Sequence, residues 1–230
     1  RSTHCISSAA SDVYKRQVIN CVNNVDKLNE VRSIIEEKGS VCETFIGDMG
    51  NYSDVQKMFD MCLQCFGQVD VLINNAGISV VGLFQDMGED EWHRICNTNI
   101  DSVFNCCHFA VKDMMKRHCG KIINISSVWG LYGASCEVAY SATKGAVNSF
   151  TKALAKELAP SGIQVNAVAC GAIDTEMNGH LSDYDKAELA EEIPAGRFGT
   201  PQEVAELVKS LSGINNYLTG QIITLDGGWI

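Results

Sequence analysis

The sequence predicts an α/β protein with one doubly wound parallel sheet, and three observations predict it. Segments typical of strands alternate with segments typical of helices from Val18 onward. The segment 69–73 is a continuous apolar run, which is typical of a strand buried on both faces. The 230 residues fit one large domain, and no internal repeat or linker divides them. Alternating strands and helices form right-handed βαβ units, which place helices on both faces of the sheet.

The first part of the chain reads as three strands and two helices. Strands are predicted over 18–22, 41–46 and 69–73, and helices over 27–38 and 53–66. Gly39 ends the first helix, since glycine adopts the left-handed conformation that commonly follows a helix. Ser53 and Gln56 have the spacing of a capping box, so the second helix is predicted to begin there.

The second part continues the alternation. Strands are predicted over 121–125, 164–168 and 221–225, and helices over 95–116 and 140–158. A further helix is predicted to begin after Thr200. Thr200 is a typical N-cap residue, Pro201 occupies the first helical position and Glu203 the third.

Charge and hydropathy exclude several classes of function. The net charge is −10 and is spread along the chain, which argues against nucleic acid or an anionic membrane as a partner. No apolar stretch is long enough to span a bilayer, and residues 1–17 lack the apolar centre of a secretory signal.

The cysteines point to a reducing compartment. Several of the 11, such as Cys106 and Cys107, lie inside periodic apolar segments, where they act as small buried hydrophobes. We therefore expect a cytoplasmic protein. Cys62 and Cys65 have metal-like spacing, but they lie on a predicted helix and no second pair matches them, so no metal site is predicted.

Three residues form the sharpest candidate site. Tyr140 and Lys144 are four apart on a predicted helix and share one of its faces, and Ser127 follows a predicted strand. An ammonium beside a phenol favours the phenolate and lowers the tyrosine pKa, which would make Tyr140 a general acid for a carbonyl oxygen. Taken alone, the Tyr–Lys spacing favours an ordinary surface pair on an amphipathic helix, since such pairs are common.

Polar or glycine-rich loops follow four predicted strands. These are Asp48, "NNAG" at 74–77, Ser127 and "GAIDT" at 171–175. Because ligands bind outside the carboxyl ends of strands in a doubly wound sheet, the loops predict a dinucleotide site.

Together with Asn99 in "NTNI", these motifs resemble the short-chain dehydrogenase/reductase family over residues 18–230. The resemblance implies a single Rossmann domain that holds both sites and transfers hydride between NAD(P)H and a carbonyl or alcohol. It implies that Tyr140 is the general acid/base and that Ser127 polarises the substrate oxygen. Lys144 would bind the nicotinamide ribose and lower the Tyr140 pKa. Asn99 would hold a water molecule in the proton relay.

The resemblance also implies cofactor contacts. Asp48 would contact the adenine. The adenosine ribose would be contacted by Asn75, Ala76 and Gly77. The nicotinamide carboxamide would be contacted by Ile173 and Thr175. Gly171 belongs to the same cofactor loop, although Cys170 stands before it where the family usually has proline. From the residues alone, Asn99 could instead be a helix-start residue and Asp48 a turn residue.

Two branches of the family are similar to this chain. "GRFGTPQEVAE" at 196–206 and "LTGQIITLDGG" at 218–228 resemble 3-oxoacyl-acyl-carrier-protein reductases. Residues 129–169, with "GASCE" before Tyr140, resemble more closely the reductases of 5-aminopentanonylated elongation factor P. The implied substrate is a ketone on a carrier protein or on elongation factor P. The resemblance also implies a homotetramer formed through the two long helices and the last strand.

The cofactor is predicted to be NADP(H), with NAD(H) remaining possible. Rossmann sites for NAD carry an acidic residue after the second strand, and "VINCVNN" has none before Asp26.

The N-terminal segment 1–17 does not fit the family. It contains no glycine, whereas the family begins with a strand, a glycine-rich turn and a helix that bind pyrophosphate. Residues 7–17, "SSAASDVYKRQ", resemble a translated sequencing adapter, so we expect residues 1–17 to be non-native and the first strand, turn and helix to be lacking. An inactive fragment of a reductase is therefore an alternative to an active enzyme, and a non-catalytic regulatory protein is a third interpretation.

Overall fold

The computed structural model describes residues 16–179, 181–213 and 215–230. Its strands are β1 (Arg16–Cys21), β2 (Val41–Ile46), β3 (Val71–Asn74), β4 (Gly120–Ser127), β5 (Ile163–Cys170) and β6 (Ile222–Leu225). Its helices are α1 (Val25–Glu37), α2 (Tyr52–Phe66), α3 (Glu89–Cys96), α4 (Ser102–Arg117), α5 (Trp129–Tyr132), α6 (Val138–Leu158), α7 (Asp183–Glu192) and α8 (Pro201–Ser212). The predicted α/β class and the predicted order of strands are confirmed.

The described strands form two parallel sheets, where the sequence predicts a single one. β1 pairs with β2, from Arg16 opposite Val41 to Cys21 opposite Ile46. The other sheet has the order β3-β4-β5-β6. In this sheet, Ser127 at the end of β4 lies opposite Cys170 at the end of β5. The carboxyl ends of these two strands therefore lie side by side.

A cavity of about 520 Å³ separates the two sheets. All of β1 and all of β3 line it, together with apolar residues of the neighbouring helices such as Leu28, Phe59 and Cys106. Within the described part of the chain, β1 pairs only with β2 and β3 only with β4. The side-chain nitrogen Nε2 of Gln17 is buried there without a hydrogen-bond partner. The division into two sheets thus leaves two strand edges unpaired along one cavity.

Alternate residues of the four-stranded sheet pack against helices on its two faces. On one face, Ile122 of β4 and Val165 of β5 pack in a core with residues of α2, α4 and α6. On the other face, Ile123 and Val168 pack against Val204 and Val208 of α8. Successive side chains of a strand point to opposite faces of the sheet, and helices cover both faces here, as the predicted doubly wound arrangement requires.

Several predicted boundaries differ from the observed ones. β1 begins at Arg16, so two residues of the segment predicted to be non-native belong to a strand, and residues 1–15 lie outside the described residues. The cap of α2 is Asn51, whose side chain accepts from the backbone N–H groups of Ser53 and Asp54. The predicted capping box at Ser53 was therefore wrong, whereas the box of Thr200 and Glu203 at α8 is confirmed.

The helix predicted over 95–116 is interrupted. α3 begins earlier, at Glu89, and a π-helical turn, Asn97–Asp101, joins it to α4. A single π turn commonly marks a functional site within a helix. Here the turn contains Asn99, whose side chain points away from solvent and is fully buried.

Candidate active site

The four predicted catalytic residues are all buried at the carboxyl edge of the four-stranded sheet. Asn99 is 0%, Ser127 6%, Tyr140 9% and Lys144 4% exposed. Ser127 is the last residue of β4, and Tyr140 and Lys144 lie in the first two turns of α6. Because Tyr140 and Lys144 are both buried, they are not an ordinary pair on an exposed helix face.

Asn99 links three elements of the site. Its Oδ1 accepts from the backbone N–H of Ile78 at 2.8 Å, and its Nδ2 donates to the Ile78 carbonyl at 2.9 Å. The same Nδ2 donates to Thr143 Oγ1 at 3.1 Å. Asn99 therefore fixes the loop after β3 against α6, next to Lys144, rather than serving as a helix-start residue.

Lys144 crosses from α6 to the sheet. Its Nζ donates to the carbonyl of Ile125 in β4 at 2.8 Å. A Cβ placed on Gly77 would lie 3.3 Å from this Nζ, so glycine permits the close approach of the loop. Burial lowers the pKa of Lys144 to about 8, because the charged ammonium loses its hydration.

The pKa of Tyr140 does not follow the sequence-based prediction. Burial raises it well above its usual range, and a hydrogen bond from the Ser127 side chain opposes that rise. Lys144 Nζ lies 5.6 Å from the centre of the tyrosine ring and donates to Ile125 instead. The net direction is therefore the opposite of the predicted lowering, because burial is its largest cause, and the effect of Lys144 on Tyr140 stays a prediction.

Hydrogen bonds between buried side chains support the base of the site. Asn74 Nδ2 at the end of β3 donates to Asn124 Oδ1 of β4 at 2.8 Å. Asn124 Nδ2 donates to Thr151 Oγ1 of α6, also at 2.8 Å. Buried polar groups cost free energy unless they are paired. This chain of bonds therefore holds β3, β4 and α6 together beneath the predicted catalytic residues.

The residues predicted to bind adenosine lie along the cavity between the sheets. Asp48, Asn75, Ala76 and Gly77 all line it. Both carboxylate oxygens of Asp48 have partners, since Oδ1 accepts from the backbone N–H of Gly50 and Oδ2 from Asn97 Nδ2. The turn role that the sequence left open for Asp48 is therefore present, and its contact with adenine stays a prediction.

The segment after β5 is held by the C-terminal part of the chain. A Cβ on Gly171 would lie 2.7 Å from the Cβ of Asp226, so only glycine fits without a shift. Ile173 forms a bridge with Gly199, and its carbonyl accepts from Asn178 Nδ2 at 2.8 Å. Thr175 precedes a 3₁₀ turn. The predicted nicotinamide contacts of this segment stay predictions.

Sequence reasoning missed four residues of the site region. Thr143 and Ile78 bond Asn99, and Ser79 bonds Glu137 three residues before Tyr140. Thr143 immediately precedes Lys144 in "YSATK", and its hydroxyl is the one feature of the sequence that could have indicated a hydrogen-bonding role there. The other contacts join distant segments and leave no local pattern.

The described ranges contain neither a candidate metal cluster nor a candidate membrane-spanning helix. No group of three or more His, Cys, Asp or Glu residues there could hold a metal ion. No helix in these ranges is both long and apolar enough to cross a bilayer.

Comparisons with known proteins agree with this geometry. A family model described as short chain dehydrogenase matches residues 7–186, a range that begins inside the segment predicted to be non-native. The 3-oxoacyl-[acyl-carrier-protein] reductase FabG of Chlamydia muridarum is 36% identical over 90% of this chain and 84% of the relative. The uncharacterized oxidoreductase YmfI of Bacillus subtilis is 44% identical over 70% of this chain and 67% of the relative.

A solved structure resembles the whole described fold. The gluconate 5-dehydrogenase of Burkholderia cenocepacia, crystallised with NADP and tartrate, matches with a TM-score of 0.89 at 30% identity, covering 96% of this chain and 89% of that chain. The fold, the buried residues at the sheet edge and these similarities lead to one conclusion: this chain belongs to the short-chain dehydrogenase family and is an oxidoreductase of that family.

Proposed function

We propose that this protein is an NADP(H)-dependent carbonyl reductase that resembles 3-oxoacyl-acyl-carrier-protein reductases and reduces the ketone of a 3-oxoacyl thioester. The observation that supports it best is the burial of Ser127, Tyr140 and Lys144 together at one strand end, with Asn99 behind them. The similarity to a reductase of this name supports the substrate class.

The residues present divide the reaction between them. A nicotinamide cofactor, when bound, would supply the hydride for the carbonyl carbon. The Tyr140 hydroxyl donates the proton to the carbonyl oxygen, and the Ser127 hydroxyl donates a hydrogen bond to that same oxygen. Lys144 stabilises the phenolate that remains, and Asn99 orders the loop and a water that returns the proton. The ketone thereby gains one hydride and one proton and becomes a secondary alcohol.

The residues around Lys144 fit the nicotinamide half of the cofactor. Gly77 leaves space in front of Lys144 Nζ, which a Cβ would narrow to 3.3 Å. Lys144 would hold the nicotinamide ribose, and Ile173 and Thr175 its carboxamide. NADP(H) rather than NAD(H) is proposed because the segment after β1 carries no acidic residue before Asp26.

The test is a direct assay of the purified protein. Ketone-dependent loss of NADPH absorbance is expected with a 3-oxoacyl thioester, and a much slower loss is expected with NADH. The absence of any ketone reduction, with cofactor binding demonstrated by calorimetry, would refute the proposed function.

A second candidate substrate is 5-aminopentanonylated elongation factor P. The "GASCE" segment that supports this candidate adjoins the site, since Glu137 is its last residue and α6 begins at Val138. Assaying both substrates on the same preparation separates the two candidates by their kcat/KM.

The cavity between β1 and β3 supports a further proposal, that an additional parallel strand belongs there. Two unpaired strand edges and the unpartnered Gln17 Nε2 line it. In the usual Rossmann order the first strand lies between the second and the fourth, and its turn binds pyrophosphate. An inactive fragment that binds NADPH weakly is therefore the alternative to the active reductase, and the calorimetric Kd for NADPH distinguishes the two.

Assembly and location are proposals as well. A homotetramer through α4 and α6 is supported by exposed apolar side chains on these helices, including Phe104 at 49% and Val138 at 42%. A cytoplasmic location is supported by the buried free thiols Cys106 and Cys107. Gel filtration with light scattering would measure the oligomeric state.

A further inference from the structure

Two tryptophan rings meet beside the candidate active site. Trp129 follows Ser127 by two residues and begins the short helix α5, and Trp229 lies in the segment after β6. Their ring centroids are 4.9 Å apart and the ring planes are inclined at 63°, an edge-to-face arrangement. Both residues are half-buried. Aromatic pairs of this geometry attract each other beyond the area that they bury. The segment after β6 therefore contacts the site, although the proposed reaction gives it no role.

The backbone of Trp129 holds the Ser127 hydroxyl. The N–H of Trp129 donates to Ser127 Oγ at 3.2 Å. A serine hydroxyl that accepts a hydrogen bond still has its own hydrogen to donate. The Ser127 side chain also forms a hydrogen bond with Tyr140. The N–H of Trp129 therefore occupies the oxygen of Ser127 and leaves its hydrogen for Tyr140, the side on which the carbonyl oxygen is proposed to bind.

Three contacts fix α5 beside the carboxyl edge of the sheet. The N–H of Val128 donates to the carbonyl of Cys170 at the end of β5, at 2.9 Å. Gly130 packs so closely on α6 that a Cβ there would lie 2.5 Å from the carbonyl carbon of Lys144. The third contact is the Trp229 ring. The first two contacts are made by backbone atoms, so the third is the one that a single substitution removes while the sheet and α6 stay as they are.

The segment that carries Trp229 forms a closed turn over residues 226–230. Asp226 Oδ1 accepts from the N–H of Gly228 at 3.0 Å, and Oδ2 accepts from the N–H of Ile230 at 3.1 Å. Gly228 has a φ of 83°, a left-handed conformation that glycine adopts without strain. The turn therefore presents the Trp229 ring to α5 from a defined position.

We propose that Trp229 is a positioning residue for the proposed ketone reduction. Its ring holds α5 so that the Trp129 N–H keeps the Ser127 hydroxyl directed toward the carbonyl oxygen. In this role Trp229 touches neither the substrate nor the cofactor. A misplacement of about 1 Å in such a group can lower a rate by about 10²-fold. This inference rests on the proposed function.

Two other roles of Trp229 predict different results. If the ring only stabilises the fold, Trp229→Ala lowers the free energy of unfolding and leaves kcat unchanged. If the ring contacts the substrate, the variant raises KM, and this effect remains in a Ser127→Ala background. If Trp229 acts through Ser127, the variant lowers kcat and has no further effect in that background, because residues that act as a unit are not additive.

The experiment is a double-mutant cycle on the full chain. kcat and KM for a 3-oxoacyl thioester with excess NADPH are measured for the native chain, Trp229→Ala, Ser127→Ala and the double variant. Trp229→Phe retains an aromatic ring and tests for rescue. Trp92→Ala is the matched control, because Trp92 lies on α3 and is 36% exposed.

A second measurement does not depend on turnover. Hydrogen exchange of the Trp129 amide, followed by NMR, reports how firmly its bond to Ser127 is held. Trp229→Ala should speed this exchange by about 3- to 10-fold relative to the amides of β4, the range expected for loss of an aromatic pair. Trp92→Ala should leave it unchanged.

We expect kcat to fall by about 10- to 100-fold in Trp229→Ala, with KM changed less than about twofold, and to recover largely in Trp229→Phe. The loss should vanish in the Ser127→Ala background. An unchanged kcat, an additive loss in the double variant, or unchanged exchange of the Trp129 amide would overturn the inference. If the native chain reduces no ketone, the proposed function fails, and exchange of the Trp129 amide still decides whether Trp229 holds the bond to Ser127.

Discussion

The side chain of Asn99 and the backbone of Ile78 form a reciprocal pair of hydrogen bonds, at 2.8 and 2.9 Å. This pair satisfies both polar groups of one peptide residue in the loop after β3. The loop carries Asn75, Ala76 and Gly77, so the position of the predicted cofactor contacts depends on a residue of a π-helical turn.

Replacing Asn99 with Ala is expected to destabilise the protein. It leaves the N–H and carbonyl of Ile78 without these partners, and each unpaired buried group costs about 1–3 kcal/mol. Denaturant unfolding should therefore show a loss of about 2–4 kcal/mol in the free energy of unfolding. Asn29→Ala, on the exposed face of α1, is the control and should change it by less than about 0.5 kcal/mol. Equal effects of the two variants would contradict the prediction.

Removing the Tyr140 hydroxyl is expected to abolish most reduction. Tyr140→Phe removes the proposed proton donor and retains the buried ring, so kcat should fall by about 10²–10⁴-fold. The rate of ketone-dependent NADPH oxidation measures this effect. Tyr132→Phe provides the comparison, because Tyr132 is 63% exposed. Normal turnover by Tyr140→Phe would rule out its assignment as the general acid.

Lys144→Met is expected to stabilise the fold near neutral pH while it reduces activity. Burial places the folded-state pKa of Lys144 at about 8, below the ordinary value of 10.5. The unfolded chain therefore binds more protons between these values, and the stability of the native chain rises with pH through that window. Below pH 8 Lys144 is protonated in both the folded and the unfolded chain, so the native fold bears the full cost of burying the ammonium. The free energy of unfolding of the variant should therefore be higher by about 1–3 kcal/mol there.

This gain should shrink as the pH rises from 8 to 10.5, and chemical unfolding at several pH values measures it. Lys152→Met, at an exposed position of the same helix, should show no such dependence. A pH-independent difference for Lys144→Met would refute the assigned cause.

If the chain is the inactive fragment, supplying a strand to the cavity is expected to restore cofactor binding. Joining a family first strand, glycine-rich turn and helix ahead of Arg16 should raise NADPH affinity at least about tenfold, because the turn supplies N–H donors to the pyrophosphate. The control graft carries proline at the middle of the strand, which removes a ladder hydrogen bond. Micromolar NADPH binding by the ungrafted chain, measured by calorimetry, would contradict the fragment alternative and support the active reductase.

Local sequence determined the order of the elements and the residues of the site. Periodicity predicts each strand and the helices α1, α2 and α6 within a few residues, because the side chains that define a face lie within one short window. It did not predict α3, α7 or the π-helical turn before α4. The box of Thr200 and Glu203 is encoded in four consecutive positions. Ser127, Tyr140 and Lys144 could be predicted because parallel strand ends and helix starts share one edge of the sheet.

Tertiary structure decided what depends on distant residues. Asn99 bonds a residue 21 positions away, and Glu137 bonds one 58 positions away, so neither contact has a local pattern. The division into two sheets depends on which strands meet. The raised pKa of Tyr140 depends on burial by the whole fold, because desolvation disfavours the charged phenolate.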